Sequence, residues 1–311
     1  MTLPTFTPRR PLGRTGFRAA LLGAGDLADR QVPLDTLVAT LGRALDAGIN
    51  VVDTAPMYED GYSEEIVGRA VRGRDRDAVF VIDKIDDLEA PVAPQIEASL
   101  GRLGLAYADA FVFHALNDPD VLERLLTPGG GFDQLREEIA AGRTRFRGIS
   151  SHSPDVLRAA LEADVCDIVM FPIGPFVDER YPREILPFAR ERNVGTVVFK
   201  TFGAGKLVAD TTGYNQPLRQ RPRGKISSGG MAVADATLPR LTAEECVHYT
   251  LTLDPDVALL GLSFPNEQDE AFAAAASFEP LEDRAMAGLR VRAAEARRHK
   301  GPCWWNPDPV A

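Results

Sequence analysis

Cysteine is scarce, with only three among 311 residues. Cys166, Cys246 and Cys303 are far apart, odd in number and without C-x-x-C spacing. That excludes a disulfide framework and a thiolate metal or iron–sulfur site, and free thiols in a reducing compartment are expected. No apolar run reaches the roughly 18 residues a membrane-spanning helix needs. Positive charge is short as well: 35 Lys and Arg against 45 Asp and Glu leave a formal charge of −10. Nucleic acid and anionic membranes are therefore not expected as partners. The opening residues Met1 to Arg10 hold no apolar stretch like that of a signal peptide, so the cytoplasm is the expected location. Internal repeats and low-complexity tracts are lacking too.

Short apolar runs alternate with amphipathic helical stretches. Leu21–Gly25, Ile49–Asp53, Val79–Lys84, Ala108–His114, Arg145–Ile149, Asp167–Phe171, Thr196–Lys200 and Val257–Leu262 read as strands one to eight. Between the first two, Leu37, Val38, Leu41, Ala44 and Leu45 share one helical face, with Asp35 as the expected cap and Gly48 as the stop. Ser63 is the expected cap of the next helix, with Ile66, Val67, Ala70 and Val71 inward. Later helices are expected from about Pro154, Pro182 and Glu267. Strands rich in Val, Ile and Phe on both faces suit a parallel sheet covered by helices. Eight β/α units in about 260 residues favour a (β/α)8 TIM barrel over a doubly wound sheet. The latter usually carries G-x-G-x-x-G after its first strand, whereas here Gly23-Ala24-Gly25 runs into Asp26-Leu27-Ala28.

One α/β domain spanning 1–311 is expected, with three additions to the minimal barrel. An N-terminal β-hairpin (1–19) around Leu12-Gly13-Arg14-Thr15-Gly16 would plug the barrel bottom. A long loop (203–240) follows strand seven, and loops of that length are usually functional or disordered. A C-terminal extension (279–311) carries Trp304 and Trp305.

Chemistry in such a barrel sits at the C-terminal ends of the strands. Asp53, Lys84 and His114 close consecutive apolar runs, where a charge is costly unless paired. Tyr58 lies on the loop after Asp53. With strands about 4.8 Å apart, the four side chains can meet. Tyrosine, of ordinary pKa near 10, is a poor acid. A neighbouring Lys84 ammonium would lower that value, and Asp53 would hold the ammonium in place. His114 would position a substrate carbonyl. The set amounts to a general acid–base site without a metal.

These residues resemble the aldo-keto reductases. Asp53-Thr54-Ala55-Pro56-Met57-Tyr58, followed by Gly61-Tyr62-Ser63-Glu64 and Gly68, is similar to that family's signature. So is the opening Leu12–Gly16, and Lys84 and His114 match the remaining catalytic positions. The resemblance runs from about residue 10 to residue 278. It implies an extended NADP or NAD molecule and reduction of a small aldehyde or ketone, or oxidation of the alcohol. Tyr58 would be the proton donor, tuned by Lys84 and Asp53, and His114 would orient the substrate. It also implies Ser150 and Ser151 at the nicotinamide carboxamide, Phe199 stacked on the nicotinamide with Lys200 beside it, and Gly203, Gly205 and Leu207 around the pyrophosphate. Gly261, Ser263 and Gln268 would lie in the adenosine segment.

Several positions depart from the family pattern. The usual second Asn is Ser151, and the usual strand-six Gln is Met170. Residues 261–268 hold no Lys or Arg, and Ala271 or Phe272 stands where an Asn is usual. Weaker NADP selectivity than is typical follows, with NAD use plausible, unless Arg219, Arg221 and Arg223 supply the phosphate site. The same departures leave open a second class, a nicotinamide-binding sensor with little turnover. Substrate and oligomeric state are not encoded legibly.

Overall fold

A computed structural model describes residues 5–6, 9–208, 240–298, 303 and 305–306. The expected loop tip with Arg219, Arg221 and Arg223, and Trp304 in the tail, lie outside the described residues. Strands β1 (Arg9–Pro11) and β2 (Arg18–Ala20) pair antiparallel as a hairpin. The strands β3 (Leu22–Ala24), β4 (Val51–Asp53), β5 (Phe80–Ile85), β6 (Ala108–Phe113), β7 (Thr144–Ser150), β8 (Ile168–Pro172), β9 (Gly195–Phe199) and β10 (Val257–Leu260) close into a parallel barrel in chain order, β10 returning to β3. This is the expected (β/α)8 architecture.

Alternation along each strand divides the apolar side chains into two layers. Val51, Ile82, Ala110, Val112, Ile168, Met170, Val197 and Leu259 fill the barrel interior. Outward residues such as Val52, Val81, Phe111 and Phe171 pack under the helices. The hairpin closes the floor: Leu12 is fully buried in the interior layer, and Phe17 lies 5.2 Å from the Phe80 ring. Gly13 adopts φ +47°, and a Cβ there would sit 2.1 Å from the Gly195 nitrogen, so only glycine lets the turn approach β9. Asn50 clasps the hairpin, accepting from the Ala20 N–H at 2.8 Å and donating to the Arg18 carbonyl at 2.9 Å.

The helices are α1 (Leu34–Asp46), α2 (Tyr62–Val71), α3 (Val92–Leu103), α4 (Pro119–Leu126), α5 (Gly131–Ala140), α6 (Pro154–Glu162), α7 (Leu186–Glu191), α8 (Ala243–Thr252), α9 (Pro265–Ala276) and α10 (Asp283–Ala296). Two expected caps are corrected. Pro33 precedes α1, so Asp35 falls in its first turn, where a carboxylate favours the helix dipole. Gly61 precedes α2, and Ser63 inside its first turn accepts a 2.9 Å hydrogen bond from Thr54 Oγ1. The stretch between β6 and β7, for which no helix was delimited from the sequence, holds α4 and α5. Asp118 caps α4 through the Asp120 N–H and Pro119 opens it, a readable start signal. The capping box Thr242/Glu245 starts α8. All three cysteines are buried and none forms a disulfide, and burial pushes the Cys166 thiol up to about 12. No described helix is long and apolar enough to cross a membrane.

Candidate active site

Asp53 ends β4, Lys84 stands near the end of β5 opposite Val112, and His114 follows β6. The barrel brings them together with Tyr58. Lys84 Nζ lies 2.7 Å from Asp53 Oδ1, donates to the Thr54 carbonyl at 2.7 Å, and stands 4.4 Å from the centre of the Tyr58 ring. The Tyr58 and His114 rings meet in a T at 5.5 Å. Burial works against charge on Lys84, but Asp53 and Tyr58 together outweigh it and hold the ammonium above its ordinary range. Burial pushes Asp53 up, opposed by Lys84.

The expected sign for Tyr58 is overturned. Burial outweighs the attraction of the Lys84 ammonium, and the hydroxyl is held above its ordinary range. The resting site therefore keeps Tyr58 protonated, as a hydrogen-bond donor rather than a phenolate. His114 is pushed down by burial against the pull of Asp86, so its ring is neutral at pH 7.

Sequence reading missed three neighbours. Asp86, just past β5, accepts from His114 Nδ1 at 2.5 Å and from the Met57 N–H at 2.7 Å. A carboxylate closing a strand beside Lys84 was the available signal. Asp83 faces the helices behind Lys84, where Glu64 of α2 pairs with Arg102 of α3. Burial, then the Glu64 charge, pushes Asp83 well above the carboxylate range. His152 packs at 5.3 Å from the Phe199 ring, and burial, with Lys200 and His114 adding repulsion, pushes its pKa down to about 3.

The candidate cofactor residues fall into two groups. The first surrounds the end of β9. Phe199 is half-buried, and Lys200 adopts φ +73° with Nζ 5.8 Å from the Phe199 ring centre and 5.1 Å from that of Trp305. Burial, reinforced by Lys206, lowers Lys200 to about 8. The buried Thr201 hydroxyl has no hydrogen-bond partner among the described residues. Gly203 and Gly205 take positive φ, and no atom of the described residues lies within 4 Å of where a Gly205 Cβ would be. Two neighbouring ammonium groups, Lys200 and Lys206, beside the Thr201 hydroxyl and the positive-φ glycines suit the chemistry of an anionic ligand such as a pyrophosphate. Leu207 instead packs under α8 and α10.

The second group is committed to the protein itself. Ser150 ends β7 opposite Met170, and Met170 fills the barrel interior. Ser151 Oγ donates to Asn117 Oδ1 at 3.2 Å and accepts from the Ser153 N–H at 3.0 Å. Ser263 Oγ donates to the Gly261 carbonyl at 2.9 Å. Gln268 donates to the carbonyls of Thr40 and Leu262 and accepts from Arg43 at 2.8 Å. Arg43, from α1, also pairs with Asp269. The fold thus brings a cation to segment 261–268, which has no Lys or Arg of its own. Ala271 and Phe272 are core residues.

The family model described as "Aldo/keto reductase family" matches residues 21–264. The chain belongs to that family, whose members are NAD(P)-dependent oxidoreductases of small carbonyl compounds and alcohols. Among curated relatives, the NADH-specific methylglyoxal reductase of Escherichia coli is 26% identical, over 65% of this chain and 69% of that protein. The pyridoxal 4-dehydrogenase of Microbacterium luteolum is 28% identical, over 66% and 73%. Among solved structures, an aldo-keto reductase from Klebsiella pneumoniae in complex with NADPH superposes with a TM-score of 0.67 at 19% identity, covering 97% of this chain and 100% of that one. The superposition bears on the fold alone.

Proposed function

We propose that the chain reduces an aldehyde or ketone, or oxidises the corresponding alcohol, with Tyr58 passing the proton. The observation that carries this is the convergence of Lys84 on both Asp53, at 2.7 Å, and the Tyr58 ring, at 4.4 Å. When bound, NADP or NAD supplies or accepts the hydride. The chain's own residues handle the proton and the substrate oxygen. Tyr58, kept protonated, donates to the carbonyl oxygen. The Lys84 ammonium stabilises the phenolate that this donation leaves, and Asp53 holds Lys84 charged and aimed. His114 sets the substrate's position beside Tyr58.

The cofactor would be held by Ser150, Ser151, Met170, Phe199, Lys200, Gly203, Gly205, Leu207, Gly261, Ser263 and Gln268. Of these, Phe199, Lys200, Gly203 and Gly205 have the strongest support, from the cationic surroundings at the end of β9. Residues 1–311 act as one domain, at work in the cytoplasm.

A sensor with little turnover is the second reading. One observation favours it: Ser151 and Gln268 spend their hydrogen bonds within the protein. A carbonyl-substrate screen with each cofactor separates the two. Turnover lost in Tyr58→Phe with cofactor binding retained is the result expected of the enzyme. Wild-type turnover in that variant would refute the role of Tyr58, and total inactivity of a protein that binds cofactor tightly would favour the sensor.

A further inference from the structure

Behind the rim, two carboxyl groups meet away from solvent. Asp83 of β5 and Glu64 of α2 are both fully buried. Their side chains lie within hydrogen-bonding reach of each other. Glu64 gives both oxygens to Arg102 of α3. Asp83 Oδ1 accepts from the Lys84 N–H at 2.8 Å, whereas Asp83 Oδ2 has no hydrogen-bond partner among the described residues. Ionised carboxylates only accept, so two of them cannot hydrogen-bond each other. A proton on Asp83 Oδ2 makes that oxygen a donor to Glu64. It also leaves one carboxylate for the one guanidinium.

The pair stands between the two halves of the acid–base couple. Asp83 directly precedes Lys84 and holds its backbone N–H. Glu64 lies in the first turn of α2, into which the Tyr58 turn runs. There the Gly61 N–H donates to the Pro56 carbonyl at 2.7 Å, and the Ser63 N–H to the Tyr58 carbonyl at 3.3 Å. Gly61 is pressed against the same group: a Cβ there would sit 2.6 Å from Arg102 Cδ and 3.1 Å from Glu64 Oε2. We propose that Asp83 and Glu64 share one proton, and that this carboxyl pair positions the Tyr58 turn against the strand of Lys84. The positioning role rests on the reading of Tyr58 and Lys84 as proton-handling groups; the shared proton does not.

The charges around the pair come from several elements. Lys84 of β5 is engaged with Asp53 of β4. Arg102 of α3 faces Glu64, and Asp86 beyond β5 adds its field at Arg102. On β6 the residue opposite Asp83 is the apolar Phe111. Glu65 and Arg69 of α2 and Glu97 of α3 are exposed. Burial and the Glu64 charge raise Asp83 against the pull of Lys84. The folded chain then keeps a proton that the unfolded chain has released, so this residue's contribution to stability falls as pH rises.

The first test is infrared spectroscopy of the full chain at neutral pH. Wild type should show the carbonyl stretch of a protonated carboxylic acid, moved by 13C-aspartate labelling. Asp83→Asn should lose it. Glu64→Gln should lose it as well, because the new amide gives Asp83 a donor and removes the need for the proton. Difference spectra that contain no such band overturn the shared proton, and either variant alone decides. Between pH 5 and 7 the unfolding equilibrium constant of wild type should rise relative to that of Asp83→Asn, by up to ~10-fold per pH unit. Parallel curves would overturn it too.

The positioning role is read from turnover. Asn at position 83 reproduces the protonated acid, with an acceptor for the Lys84 N–H and a donor for Glu64. Asp83→Ala supplies neither. In Asp83→Ala, kcat on a carbonyl substrate should fall by roughly 10–100-fold, the cost of a small misplacement at the reacting groups. Cofactor Kd should stay unchanged, and Asp83→Asn should restore kcat. Full activity in Asp83→Ala, or no rescue by Asp83→Asn, would overturn the positioning role. A wild type that shows the band but turns over no carbonyl compound would sink the oxidoreductase reading and leave the shared proton standing.

Discussion

Lys84 lies over the Tyr58 ring, 4.4 Å from ammonium nitrogen to ring centre, and interacts with its hydroxyl as well. Tyr58→Phe keeps the ring, and with it that contact and the T-shaped packing on His114. It removes only the hydroxyl. Thermal stability and cofactor Kd should stay at wild-type values while kcat falls by roughly 10²–10⁴-fold, the usual contribution of a positioned proton carrier. A parallel fall in Tm would mean that the hydroxyl is structural.

Removing the cation is a different perturbation. Lys84 and Asp53 are both almost wholly buried. Lys84→Met leaves a carboxylate in the barrel wall with no counter-charge, which costs about 3–5 kcal/mol. Urea unfolding should show it as a lowered midpoint. The double variant Lys84→Met/Asp53→Leu should recover part of the loss, because no buried charge remains.

The lowered Lys200 predicts opposite pH trends for binding and stability. Its value of about 8 lies below the ordinary lysine value near 10.4. Between those two values the unfolded chain holds a proton that the folded chain has released, so this residue makes stability rise with pH. An anionic cofactor needs the ammonium, so its affinity should fall above pH 8, by up to ~10-fold per pH unit. Titrations from pH 7 to 10 should show the slope in wild type and its absence in Lys200→Met.

Arg43 bears on the choice between cofactors. Its guanidinium is engaged with Gln268 and Asp269 and is not offered to a phosphate. Kd values for NADPH and NADH should therefore agree within ~10-fold, about 1.4 kcal/mol. Asp269→Ala releases Arg43 and should tilt the balance toward NADPH. A wild-type preference on the order of 100-fold for NADPH would contradict the assignment.

The barrel and its catalytic corner were legible because each rests on local pattern. Apolar runs ending in Asp53, Lys84 and His114 mark strand ends, and a parallel barrel aligns those ends on one rim. Contacts made across the fold were not legible. Asp86 lies two residues past Lys84, but its partners Met57 and His114 come from other loops. Arg43 reaches residues 265–269 from α1, so a reading of the segment alone found no cation there. The sign of the Tyr58 shift depends on burial, which composition does not show. Eight β/α units imply one helix between β6 and β7, but none was delimited there, although Asp118 and Pro119 announce α4; the second, α5, exceeds one helix per strand.

The floor plug should matter to stability in proportion to its burial. Leu12 is fully enclosed by the interior layer. Leu12→Ala opens a cavity there and should cost about 2–5 kcal/mol, measured by denaturant or thermal unfolding.

The Asn50 clasp gives that floor a second consequence. Asn50 holds the hairpin from below, and the strand bearing Asp53 begins at the next residue and is only three residues long. At about 3.3 Å per residue, floor and catalytic rim stand only ~10 Å apart along this strand. Such a short stave has little slack in which to absorb a displacement. Loosening the hairpin should register as a misaimed carboxylate, and a change in a segment at the opposite end of the barrel from the catalytic rim should cost catalytic rate as well as stability.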